Sequence, residues 1–169
     1  MATKYAKLCD EQAAVMNAEP LPVVEEETGN ASTDGSTVFV NPKWMESLEA
    51  DSGQGAVRFV LSHELGHAEA GMGGGGDAEL GADRFAARSV ARQGFDFEAI
   101  SGVEGHLNAQ STESHPAAWS RMAVARQDFD RQRARDEEIA KKRLKARERA
   151  AVPRRVRADR NRVVREHTI

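Results

Sequence analysis

The stretch Gly55-Ala56-Val57-Arg58-Phe59-Val60-Leu61-Ser62-His63-Glu64-Leu65-Gly66-His67-Ala68-Glu69-Ala70 decides how the rest of this chain must fold. Wound at about 100° per residue, it puts Ala56, Phe59, Val60, His63 and His67 on one side, and Val57, Leu61, Leu65 and Ala68 on the other. Only a narrow strip of Arg58, Ser62, Gly66 and Glu69 is left for water. A helix that is apolar nearly all round belongs in the middle of its domain. The glycine run from Gly73 to Gly76 ends it, because glycine reverses a helical chain without steric cost.

Within that helix, His63-Glu64-Leu65-Gly66-His67 is an H-E-x-x-H element. Residues i and i+4 lie one turn apart on the same face, so both imidazoles can reach one ion. Glu64 is turned about 100° from His63, beside the metal position, where it can take a proton from a water and pass it to a leaving amine. Two ordinary histidines are the alternative, but two buried imidazoles need polar partners and a cation satisfies both. A catalytic zinc site uses three protein ligands and leaves one position open. The glycine turn brings the chain back into a second helix, expected from an Asp77 cap to about Arg92, with Glu79 at its start as the third ligand. Asp83 follows four residues later on the same face, where it can accept the free N–H of a ligand imidazole. Ala82 leaves room for the two helices to approach. A His-His-Glu set favours zinc over iron.

Outward from this pair the elements are shorter. Residues 1–20 form a helix up to Pro20. Thr37 to Asn41 is a β-branched strand after a turn-rich stretch, and Trp44 to Leu48 is a helical turn. A third helix runs from Phe97 to about Leu107. A long fourth begins near Pro116 and continues to about Ala150, where Pro153 breaks it. The class is α+β, mostly helical, with a small sheet and a long C-terminal helix. The chain is expected to divide into a domain of residues 1–126 and a charged, helical or partly disordered tail of residues 127–169.

Charge divides the chain as well. Residues 131–169 carry 15 Lys and Arg against 6 Asp and Glu, whereas the remainder carries 9 against 21. An acidic body with a basic tail is the simplest reading. The tail is either a solvated helix or a contact for nucleic acid or an acidic partner. It lacks aromatic residues after Phe129, so any nucleic-acid contact is electrostatic and salt-sensitive. Cys9 is the single cysteine, which excludes an internal disulfide and a cysteine-built zinc site. No apolar run approaches the length of a membrane span, and the first twenty residues lack the pattern of a signal peptide. The expectation is a soluble, cytoplasmic protein.

Four elements in order now resemble the gluzincin peptidases, in particular the family of the heat-shock protease HtpX and the CAAX prenyl proteases. They are Asn30-Ala31 before a glycine turn and the strand Val38-Phe39-Val40; the zinc helix; Glu79-Leu80-Gly81-Ala82-Asp83; and Ser114-His115-Pro116 followed by Arg121-Met122. Glu79 to Ala86 is also similar to the ImmA/IrrE regulators, while the Ser-His-Pro element favours the first family. The resemblance implies a soluble mini-gluzincin: a zinc metalloendopeptidase with Zn2+ on His63, His67 and Glu79 and with Glu64 as general base. It implies Asp83 as an anchor for the ligands, His115 as a stabiliser of the oxyanion and Arg121 as a brace for the carboxylates. Asn30, Ala31, Val38 and Val40 would form a cleft edge along which a protein or peptide substrate lies extended. The alternative implied by the second likeness is a zinc-stabilised regulatory module without turnover, associated with nucleic acid through the tail.

Overall fold

The computed structural model describes residues 2–27, 29–71, 75–106 and 116–151. In chain order it contains α1 (Lys4–Met16), β1 (Val23–Glu25), β2 (Ala31–Thr33), β3 (Val38–Val40), α2 (Pro42–Ser52), α3 (Gln54–Glu69), α4 (Gly76–Arg92), α5 (Glu98–Ser101), a 3-10 turn (Gly102–His106) and α6 (Ala118–Ala151). The class is α+β. None of the described helices is long and apolar enough to cross a membrane.

The ends of these elements follow from capping chemistry. Thr3 Oγ1 accepts from Ala6 N at 3.3 Å at the start of α1, and Asn17 closes that helix in the left-handed region at φ 56°. Asn41 caps α2 by accepting from Lys43 N and Trp44 N, with Pro42 at the first helical position. This Asn-Pro start makes α2 a full eleven residues rather than the turn expected at Trp44 to Leu48. Asp77 does not cap α4. It lies in the first turn after Gly75, where its charge still faces the positive end of the helix dipole. The expected third helix breaks after Ser101 into the 3-10 turn, and Gly102 there packs so close to α2 that a Cβ on it would fall 2.2 Å from Ser52 Oγ.

The sheet has the order β1-β3-β2, with β1 parallel and β2 antiparallel to β3. β3 is therefore central, and Val38 and Val40 are fully buried. This corrects the expectation that these two residues line an open cleft edge. The open edges belong to β1 and β2, and β2 lies against α3. Asn41 N donates to Asn30 O at 2.8 Å, which makes 30 and 41 a hydrogen-bonded pair. By alternation, the backbone N–H and C=O of Ala31 and Thr33 point away from β3.

α3 occupies the middle, with α1, α2, α4, β2 and α5 packed around it. Eleven of its residues are buried, including Ser62 and Gly66 from the strip expected to face water. Each has a physical reason. Ser62 donates to the buried amide oxygen of Gln12 on α1 at 3.2 Å, an oxygen that also accepts from Ser89 Oγ at 3.0 Å and from Gln93 Nε2. Gly66 admits α4: a Cβ there would stand 2.9 Å from Ala82 Cα and 3.0 Å from Phe85 Cβ.

Gly66→Ala tests that approach. Alanine gains about 1 kcal/mol of helix propensity over glycine, but the clash is with backbone and overpacking costs about 1–3 kcal/mol. The variant is expected to melt lower than wild type and to bind metal more weakly, because the two helices that carry the candidate ligands must separate. Unchanged melting and metal affinity would show that the spacing is not critical.

Two compact units, Met1–Arg133 and Ala134–Ile169, divide the chain later than the boundary after residue 126. α6 keeps burying side chains beyond that point, with Phe129 and Gln132 each 5% exposed. Phe129 meets Phe97 edge-to-face at 5.5 Å.

Candidate metal centre

α3 and α4 bring three ligand-type side chains together. His63, His67 and Glu79 each place one donor atom within 4.8 Å of the others, a group that could hold a metal ion. His63 Nε2 and His67 Nε2 are 3.0 Å apart. His63 Nε2 is 3.5 Å from Glu79 Oε2, and His67 Nε2 is 3.3 Å from Glu79 Oε1. Donors spread tetrahedrally around one ion at about 2.0–2.1 Å lie about 3.3 Å from each other, so these separations fit a zinc-sized centre. The rings stand at 87° to one another, each directing its Nε2 to the common point.

The surrounding charges fit a divalent cation as well. Glu64 is 8% exposed, Asp83 1% and Arg121 6%. Arg121 grips both carboxylates of α4: Nη1 is 3.0 Å from Glu79 Oε2, and Nε and Nη2 reach the two oxygens of Asp83 at 2.8 and 2.9 Å. Three carboxylates, of Glu64, Glu79 and Asp83, stand against one guanidinium, which leaves two formal negative charges in a buried site. Such an excess is not tolerated at low dielectric without a counter-charge. His63 Nδ1 lies 2.9 Å from Asp83 Oδ1, but its N–H is not aligned on that oxygen and makes no formed hydrogen bond. The contact is electrostatic.

Protonation follows the same charges. Burial alone would lower the His63 pKa, but Asp83 and Glu79 outweigh it and push it up to about 9. Burial raises Glu79, yet the bonds to His63 and His67 and the charge of Arg121 hold it well below the usual carboxylate range. Asp83 is likewise lowered, its burial offset first by Arg121 and then by His63. Glu64 goes the other way: burial dominates and raises its pKa, making it a stronger base than an exposed glutamate.

In the metal-free protein, protonated His63 supplies part of the missing positive charge. A raised pKa contributes stability below the unfolded value, here 6.5, and loses it as pH rises through the folded value of about 9. Metal-free protein is therefore expected to need less denaturant to unfold at pH 9 than at pH 6.5. A metal ion held there would displace that proton, so its affinity should climb over the same interval. A flat denaturation midpoint across the interval would contradict this assignment of His63.

Among the other sequence expectations, Arg121 joins the site, and Asn30 and Ala31 lie at and beside the open edge of β2. Val38 and Val40 do not reach an edge, and His115 lies outside the described residues. Sequence reasoning missed Gly66 as the point of helix contact, although glycine inside an otherwise apolar helix was a visible signal. It also missed Gln12, which nothing in the local sequence marks. No protein-family model matches the chain, and neither a curated protein nor a solved structure matches it.

Proposed function

We propose that this chain is a zinc-dependent metallopeptidase of gluzincin type, hydrolysing peptide bonds in the cytoplasm, where the lone thiol of Cys9 stays reduced. The observation that carries the reading is the convergence of His63, His67 and Glu79 upon one point, with the buried Glu64 on the adjoining helix position. Among the described residues the group has three members, the ligand count that leaves a catalytic zinc an open position.

His63, His67 and Glu79 would hold the ion. When bound, zinc supplies Lewis-acid polarisation of the scissile carbonyl and makes water acidic enough to attack at neutral pH. Glu64, its basicity raised by burial, takes the proton of the attacking water and delivers it to the leaving amine. Asp83, 2.9 Å from His63 Nδ1, favours a proton on that nitrogen and so leaves Nε2 for the ion. Arg121 keeps the Glu79 and Asp83 carboxylates charged and in place. The outward N–H and C=O of Ala31 and Thr33 offer an extended peptide the pairing of an added strand.

The test combines metal analysis with cleavage of an unfolded protein. Wild type is expected to carry one zinc per chain, to cut the substrate, to stop after chelation and to recover when zinc is restored. His67→Ala should lose the metal and the activity together; full zinc content in that variant would remove His67 from the ligand set. Zinc-loaded wild type that cuts nothing would replace the peptidase by a zinc-stabilised module.

A further inference from the structure

The second half of α6 presents charges that a free helix does not favour. From residue 137 to 151 every residue is exposed. At its start the helix is balanced, since Lys141 lies 3.8 Å from Glu137 and Lys142 lies 2.6 Å from Glu138, both at i,i+4. Beyond Lys142 the pattern inverts. Lys141, Lys145 and Arg149 follow one another at four-residue spacing, and so do Arg143 and Arg147. Neighbours at i,i+4 share a face, so these are stacked like charges, with Glu148, three residues after Lys145, the one carboxylate among them. Among the described residues no carboxylate pairs with Arg143, Lys145, Arg147 or Arg149.

The two columns lie on different sides. At about 100° per residue, Lys142 and Arg149 border one flank of a strip formed by Ile139, Ala146 and Ala150, and Arg143 and Arg147 border the other. A narrow aliphatic strip with cations on both sides suits a groove that has anions along both walls. A helix about 10–12 Å across fits the DNA major groove, about 12 Å wide between its phosphate rows. An acidic protein surface would call on one face only. An anionic membrane would call for an apolar stripe, whereas Ile139 and Leu144 are the only large apolar side chains in 134–151 and stand about 140° apart around the helix. Duplex RNA hides its major groove from side chains.

We propose that residues 139–150 of α6 form a docking helix for double-stranded DNA, read through its phosphates rather than its bases. Binding relieves the like-charge stacking and releases counterions, so affinity falls steeply with salt.

Fluorescence anisotropy of the full chain on a labelled duplex of about 20 base pairs, titrated across ionic strength, tests this. The variant R143Q/K145Q/R147Q/R149Q is expected to bind about ten- to a hundredfold more weakly, with a salt slope smaller by about three to four. A charge-matched control, K4Q/K7Q/K43Q/R84Q, is expected to bind as wild type, with circular dichroism confirming equal helix content in all three. Equal weakening of both variants, or none in the first, would overturn the proposal. So would binding of duplex RNA or of phosphatidylserine vesicles as tight as that of DNA.

Discussion

In the proposed zinc peptidase, replacing Glu64 by glutamine is expected to leave zinc content unchanged and to lower activity by about 10²–10⁴-fold, the usual contribution of a positioned general base. The variant keeps the shape and burial of the side chain and removes only its capacity to take a proton. Glu64 stands apart from the ligand group formed by His63, His67 and Glu79, so the metal should stay. The pH profile supplies a second check. Burial raises the Glu64 pKa, and the acidic limb of activity should report that raised value and disappear with the carboxylate. Undiminished cleavage by Glu64→Gln would remove this residue from the chemistry and send the search for a base elsewhere.

Arg121→Met is expected to be the most destabilising single change in the site. Removing one partner of a buried ion pair leaves its counter-charge stranded, at a cost of about 3–5 kcal/mol. Here Arg121 serves two carboxylates, and Asp83 is almost fully enclosed. The acid side of the stability profile should change shape with it. A depressed carboxylate contributes stability that is present above its unfolded pKa and lost as pH falls through the folded one. Without the guanidinium, the depression of Asp83 and Glu79 shrinks, and so does the acid-side loss. Pairing the change with Asp83→Leu provides the control, since removing both charges should cost less than removing Arg121 alone. A double variant whose cost equals the sum of the two single costs would mean that the pair is not energetically coupled.

How much of this was legible depended on the distance over which the forces act. α3 and α4 were readable because helical periodicity, a glycine stop and the i,i+4 histidines are local signals, and the short turn between them left Glu79 little choice of position. The sheet was not. β1 and β2 have three residues each, and the segment around them is rich in glutamate, threonine, serine and glycine, so the strands exist through pairing with β3 rather than through propensity. Nothing local marks Val23–Glu25 as a strand, so on the sequence alone β3 reads as an edge. Arg121 lies 38 residues beyond Asp83, and only the likeness to a family motif pointed to it. Gln12 was invisible for a related reason: a lone glutamine in an amphipathic helix gives no hint that three donors will converge upon its oxygen.

That convergence has a consequence for the amino-terminal helix. Ser62 precedes the first histidine on α3, and Ser89 and Gln93 belong to α4 and its C-cap. A chain trimmed of α1 would take the shared acceptor from Ser62 and Ser89 and open the apolar faces of α3 and α4 that α1 covers to water. α1 is thus a keystone: pull it out, and the two walls that carry the candidate ligands lose the wedge that holds their register.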